Sequence, residues 1–427
     1  NIYRTIFQLN SYADATERGD WLEARIDVGN AQAVPPTADL RKMLVPLGPV
    51  VVFGASNFPF AYSTAGGDTA CAFAAGCPVI VKAHPAHAQT STLVTKAILA
   101  AAKKCQLPDG VFAHIYAADI EKSAYLVKHE AVKAVGFTGS IRAGRALFDL
   151  AAQRPEPIPV FAEMGSVNPV VLLPNAVKVN SQKWATAYAG SITLGAGQFC
   201  TNPGLLFGIK GAELDKFSEE LTQAIEKIEP FCMLHPSMKE GFEEGSATML
   251  AQKGVAKIAE YKGDAAPNYG VQKVLTVDGK TFLENKILSH EVFGPVSVLV
   301  QCDDEQQLLT IINQLDGQLT GTIIGEPEEL KNQDELIAAM QSRVGRLIFN
   351  GVPTGVEVCP SMIHGGPYPA SSDSRFTAVG IHAVYRWVRP FSYQNWPNEL
   401  LPAELQNENP LQILRTLNNI QTKSQIA

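Results

Sequence analysis

Short β-branched runs recur along this chain at intervals filled by helical patterns, and that alternation leaves little choice of fold. Val50-Val51-Val52-Phe53, Pro78-Val79-Ile80-Val81-Lys82, Val111 to Tyr116 and Ala134 to Thr138 each read as a strand that is apolar on both faces. Helical patterns fill the gaps at about Ala70 to Ala75, Thr90 to Lys104 and Lys122 to His129. Strands alternating with helices predict βαβ units and a parallel sheet, so the chain is α/β. Two more apolar runs follow, Val160 to Gly165 and Pro169 to Leu173. The pattern then starts afresh with a helix over Gln182 to Ile192, a turn, a strand over Leu205 to Gly208 and a helix over Ala212 to Lys227. We place a domain boundary near Gly165, giving one domain over 1–165 and a second over 166–370. The segment 371–427 is aromatic and basic, shows no clear core of its own, and is expected to return to earlier elements or to a partner subunit.

A chain of 427 residues, 46% hydrophobic and 18% charged, is globular and too long for one simple core. A net charge of −7 argues against nucleic acid or an anionic membrane surface as partner. Charges, glycines and prolines interrupt every apolar stretch before it could span a bilayer. Seven cysteines are scattered without a CxxC pair, which suits a reducing compartment and no bound metal; the cytoplasm is the expected location.

One of those cysteines stands apart. Gly195-Ala196-Gly197-Gln198-Phe199-Cys200-Thr201-Asn202-Pro203 sets Cys200 between a glycine-rich approach and a proline exit, a way to present one sulfur on a short turn. Cysteine suits covalent attack on a carbonyl, although a lone cysteine is commonly a small buried hydrophobe. Glu163 interrupts an apolar strand, where a carboxylate needs a task or a partner; it reads as a general base for water or as a buried structural group. Asn57, just past a strand, offers an amide to an oxyanion or serves as an ordinary turn residue. Gly139-Ser140-Ile141-Arg142-Ala143-Gly144 links a strand to a helix. It is either a variant phosphate-binding turn or a Ser140 N-cap beside a packing glycine, Gly144. Lys82 closes a strand at the edge where open α/β sheets bind ligands, and reads as a ligand contact or as a solvated strand terminus. Glu291-Val292-Phe293-Gly294-Pro295 supplies a second carboxylate and an aromatic, and His364 in His364-Gly365-Gly366-Pro367 is a loop histidine near a site or a plain polar loop residue.

Taken in order, Ser56–Pro59, Lys82, Phe137–Ser140, Glu163–Gly165, Gly197–Cys200 and Glu291–Pro295 resemble the motif series of the aldehyde dehydrogenase superfamily over essentially the whole chain. Phe53–Pro59, Ala65–Thr69, Arg154–Pro159, Gln198–Gly204 and His364–Ser371 are similar to one branch of it. That branch holds α-ketoglutaric semialdehyde (2,5-dioxopentanoate) dehydrogenases and a bacterial NADP-dependent fatty aldehyde dehydrogenase.

The resemblance implies a Rossmann-like cofactor domain, an α/β catalytic domain bearing Cys200 and a small oligomerisation element. It implies oxidation of a small-molecule aldehyde to a carboxylate with NADP or NAD. Cys200 is the implied nucleophile, Asn57 the oxyanion donor and Glu163 the base. Lys82, Gly139, Ser140, Gly144, Glu291 and Phe293 are implied cofactor contacts, with His364 a candidate at the substrate. A homodimer or homotetramer is expected, as is a further N-terminal segment ahead of Asn1. Pro85 stands where NAD-preferring relatives commonly carry a glutamate that holds the ribose hydroxyls, which admits NADP as well as NAD. Two rivals stay in view: a CoA-acylating dehydrogenase, against which Glu163 speaks, and a binding protein without catalysis, which would be expected to lack one of Asn57, Glu163 and Cys200.

Overall fold

Three large sheets and a two-stranded one, Phe231–Cys232 with Tyr269–Gly270, organise the chain in the computed structural model, which describes residues 2–426. The first is five-stranded and wholly parallel, in the order Phe112–Tyr116, Val79–Ala83, Val50–Phe53, Ala134–Thr138, Val160–Glu163. Its strands are apolar on both faces because both faces are covered. Val50, Val52, Val79 and Val81 pack with Ala70 and Trp387 on one side. Val51, Phe53, Val135 and Phe137 pack with Leu147 and Ala151 on the other. The chain runs outward in both directions from Val50–Phe53, so a crevice opens at the carboxyl end of that strand, between the loop at Gly54–Pro59 and the turn at Gly139.

The second sheet is seven-stranded, ordered Ala256–Glu260, Lys273–Asp278, Val296–Cys302, Leu205–Ile209, Val170–Leu172, Gln318–Ile324, Val344–Phe349. Only its edge strand Ala256–Glu260 is antiparallel. Helices Pro174–Thr193 and Ala212–Ile225 cover one face through Tyr188, Phe217 and Leu221. Helices Glu305–Gln314 and Asp334–Arg343 cover the other through Ile311, Leu336 and Met340. The first of these four starts at Pro174, eight residues before the periodicity predicts: non-helical dihedrals at Asn180 (φ −136°, ψ 36°) interrupt it and hide its first turn.

The C-terminal segment packs on the first sheet and its helix Asp68–Ala74: Trp387 meets Phe161 edge-on at 5.5 Å, and Arg386 reaches Asp68 at 2.6 Å, both charges almost wholly buried. It also builds a sheet with the N-terminal part of the chain, ordered Val388–Gln394, Leu40–Pro46, Arg25–Asp27, Arg415–Leu417, Ile420–Thr422. Ala24, Ile26, Leu401, Leu405 and Ile413 form a small core there. Among the described residues, no helix is long and apolar enough to cross a membrane.

Candidate active site

The turn that carries Cys200 is fixed before the sulfur is reached. After helix Pro174–Thr193, Gly195, Ala196 and Gly197 all take left-handed φ values of 56°, 57° and 66°. A Cβ at Gly197 would fall 2.3 Å from the Gly294 carbonyl carbon, so only glycine fits. Asn168, fully buried, donates through Nδ2 to Cys200 O at 2.9 Å and to Asn202 O at 2.8 Å. Asn202 in turn donates to Gly294 O at 3.2 Å. Cys200 itself is half-buried, while Cys71, Cys77 and Cys302 are buried.

Cys200 has a partner that the sequence did not assign to it. His364 Nε2 lies 3.1 Å from the sulfur, and His364 Nδ1 lies 3.0 Å from Glu163 Oε2. Each of these two residues is only 6% exposed, so the relay is shielded from water. The ring is held in place by its own backbone: His364 N donates to Thr377 Oγ1 at 3.0 Å, and Ala378 N donates to His364 O at 2.7 Å. Tyr62 lies beside it at 6.0 Å between centroids and donates its hydroxyl to Ala378 O at 2.7 Å.

The electrostatics follow from that packing. Burial pushes the Glu163 carboxyl up, opposed by its hydrogen bond and charge attraction to His364. Burial pulls the imidazole down, but the Cys200 sulfur and the Glu163 carboxylate outweigh it and hold His364 up at about 10. The favoured state at neutral pH is therefore an imidazolium donating from both nitrogens, one to sulfur and one to carboxylate.

The sulfur opens onto a cavity of about 410 Å³. Asn57, Gly139, Ser140, Glu291, Phe293 and His364 all stand on its wall, so six of the residues singled out from sequence converge with Cys200. Asn57 donates to Gln198 O at 2.9 Å, which ties it to the cysteine turn and leaves its second amide N–H for another acceptor. Burial pushes the Glu291 carboxyl up to about 8, against a backbone hydrogen bond at Ser166.

The other expectations need correction or qualification. Glu163 is not on the wall but behind His364, with Oε2 3.0 Å from His364 Nδ1. Gly144 is buried in helix Ile141–Ala152, where a Cβ would lie 2.7 Å from Met164 Sδ. Ser140 does cap that helix, accepting from Ala143 N at 3.3 Å. Lys82 and Pro85 lie off this cavity, on the same carboxyl edge of the first sheet, Lys82 half-buried and Pro85 exposed at a short helical turn. Sequence reasoning missed Asn168 altogether; a fully buried asparagine inside the apolar run Val167 to Leu173 was the available signal.

The wall suits a dinucleotide. A helix N-terminus at Ser140 offers backbone N–H groups to a pyrophosphate, and Lys82 lies along the same edge. A Cβ at Gly165 would fall 2.4 Å from Glu291 Oε2, so the bare backbone keeps space beside that carboxylate.

Comparison with known proteins agrees with this geometry. The profile of the aldehyde dehydrogenase family matches residues 2–371. The chain is 45% identical to alpha-ketoglutaric semialdehyde dehydrogenase 2 of Azospirillum brasilense, over 96% of this chain and 79% of that protein. It is 43% identical to alpha-ketoglutaric semialdehyde dehydrogenase of Acinetobacter baylyi, over 99% and 80%. Among solved structures, glyceraldehyde-3-phosphate dehydrogenase GapN of Methanocaldococcus jannaschii, complexed with NADP, shares the fold with a TM-score of 0.74 at 18% identity, covering 92% of this chain and 80% of that one. The 1-pyrroline-5-carboxylate dehydrogenase of Thermus, with bound NAD, gives 0.73 at 21% identity, covering 92% and 73%.

Proposed function

This chain belongs to the aldehyde dehydrogenase family, and on that premise we propose that it oxidises α-ketoglutaric semialdehyde to α-ketoglutarate with NADP⁺ or NAD⁺. The contact chain from Glu163 through His364 to Cys200, at the wall of a cavity that also holds Asn57, carries the chemistry. The substrate reading rests on the relatives from Azospirillum and Acinetobacter.

In this mechanism the Cys200 thiolate, paired with the His364 imidazolium, attacks the aldehyde carbon to form a thiohemiacetal. Asn57 and the Cys200 backbone N–H stabilise the oxyanion. NADP⁺ or NAD⁺, when bound, supplies the hydride acceptor that turns the thiohemiacetal into a thioester. Acylation removes the negative charge from sulfur, and with it one of the two groups that hold His364 protonated. The imidazolium then releases its proton to solvent in the cavity, and the neutral imidazole, steadied by Glu163, takes a proton from water as that water adds to the thioester. Collapse of the adduct breaks the carbon–sulfur bond, frees the carboxylic acid and returns Cys200. A base poised beside the acyl sulfur favours hydrolysis over transfer to CoA. Gly139 and Ser140 would meet the pyrophosphate, Lys82 the adenosine ribose, and Glu291 and Phe293 the nicotinamide end.

A fatty aldehyde is the second reading, favoured by the apolar part of the wall at Phe58, Phe199, Met238 and Val356. We assign cofactor binding to the first sheet and its helices and catalysis to the second. The third sheet, which exposes Phe391 and Ile420, is our candidate contact between copies in a homodimer or homotetramer. Function in the cytoplasm belongs to the same reading.

The test is NAD(P)H formation by the purified protein on an aldehyde panel, with each cofactor and without CoA, beside Cys200→Ala. Turnover led by 2,5-dioxopentanoate and absent in the variant is expected. Strict dependence on CoA, or undiminished turnover in Cys200→Ala, contradicts the proposal.

A further inference from the structure

The wall of the cavity contains one cation that catalysis does not use. Arg4, on helix Ile2–Arg18, is the only lysine or arginine lining the cavity among the described residues. It is half-buried, and its Nη1 donates to the carbonyl of Val356, a neighbour on the same wall. No carboxylate among the described residues pairs with it. A guanidinium carries five N–H donors in a planar fork, so one bond to a carbonyl leaves most of its capacity free.

A second arginine braces the same spot from behind. Arg346, on strand Val344–Phe349, donates through Nη2 to Pro353 O at 3.2 Å and to Gly355 O at 3.4 Å. Its Nη1 reaches Met362 Sδ at 3.2 Å, and its Nε is buried without a partner. The segment 353–356 is therefore held between two guanidiniums, with Gly355 and Val356 facing the cavity. Helix Ile2–Arg18 is itself anchored, because Tyr12 is buried and donates its hydroxyl to Gly380 O at 2.9 Å.

We infer that Arg4 is the group that recognises a carboxylate at the far end of the aldehyde substrate, and that Arg346 positions the 353–356 segment against which it does so. The inference rests on the aldehyde-oxidising reading of Cys200 and narrows it to aldehydes that carry an acid group. Phe58, Phe199, Met238 and Val356 make much of the wall apolar, which strengthens a charge-assisted contact at its one arginine. An uncharged chain of the same length would leave that guanidinium without its anion.

The experiment compares kcat/KM for 2,5-dioxopentanoate with kcat/KM for pentanal, in the native protein, Arg4→Gln and Arg4→Lys. The ratio should favour the acid in the native protein and fall about 10- to 100-fold in Arg4→Gln, the scale of one lost charge-assisted hydrogen bond, with the loss carried in KM. Arg4→Lys should recover part of it, since charge remains and the fork does not. A ratio unchanged in Arg4→Gln overturns the inference, as does a fall confined to kcat. Should Arg4→Gln prove unstable on melting, Arg4→Lys carries the same comparison. A native protein that oxidises pentanal in preference to the acid overturns the inference while the aldehyde-oxidising reading stands. A native protein that oxidises neither overturns both.

Discussion

His364 Nε2 lies 3.1 Å from the Cys200 sulfur although 164 residues separate the two in sequence. The loop that delivers the histidine follows the last strand of the second sheet, and the cysteine turn follows that sheet's first crossover helix. Their meeting with Glu163, the last residue of the first sheet, ties both sheets to one relay.

That contact makes a prediction about reactivity. His364→Gln should slow alkylation of Cys200 by iodoacetamide, because it removes the ring that faces the sulfur at 3.1 Å. Rates measured across a pH series on both proteins, with modification localised to Cys200, would show it. Coincident profiles would mean that the histidine does not bear on the sulfur.

Asn57→Ala should slow formation of NAD(P)H by about 10²–10³-fold, the usual scale for one oxyanion donor, with little change in cofactor affinity. The amide also ties its loop to Gln198 O at 2.9 Å, so thermal melting should be followed alongside. A variant that loses stability and keeps its rate would make Asn57 a turn residue only.

The buried pair of Arg386 and Asp68, 2.6 Å apart, joins the C-terminal segment to helix Asp68–Ala74. Asp68→Ala leaves the guanidinium buried beside Cys71 with no carboxylate against it. Chemical denaturation should report a loss of about 3–5 kcal/mol, the usual cost of removing one partner from a buried ion pair. A change near zero would mean that water reaches the arginine.

The prediction about cofactor choice concerns Pro85. It opens a short helical turn directly after strand Val79–Ala83, is exposed, and presents no carboxylate to a 2′-phosphate. NADP⁺ should be used at least comparably to NAD⁺, and Pro85→Glu should shift kcat/KM toward NAD⁺ by like-charge repulsion. A native protein strongly selective for NAD⁺, or a variant with an unchanged ratio, would place selectivity elsewhere.

The parts of this molecule that were legible in sequence are those whose signal is local. Val50–Phe53 and Val79–Ala83 announce themselves because strands buried on both faces need unbroken apolar residues. Cys200, Glu163 and Asn57 stood out because each breaks the pattern around it. Strand Leu40–Pro46 was not legible, since its partner Val388–Gln394 lies far along the chain and both are largely exposed. The role of His364 was hidden for the same reason: its meaning is a distance to Cys200 and Glu163, and no spacing encodes it. Gly144 is ambiguous in sequence, because a glycine near a helix start serves close packing as readily as phosphate binding.

The relay itself is tested most directly with Glu163→Gln. Glutamine keeps the shape and a hydrogen bond to His364 Nδ1, but removes the charge that steadies the ring as the neutral imidazole takes a proton from water. Rapid mixing of the variant with 2,5-dioxopentanoate and NADP⁺ should give a burst of NADPH no larger than the number of active sites, followed by slow turnover. Intact-protein mass should show the acyl group held on Cys200 during the slow phase. A variant that turns over at the native rate, with no acyl adduct detectable on Cys200, would contradict the account.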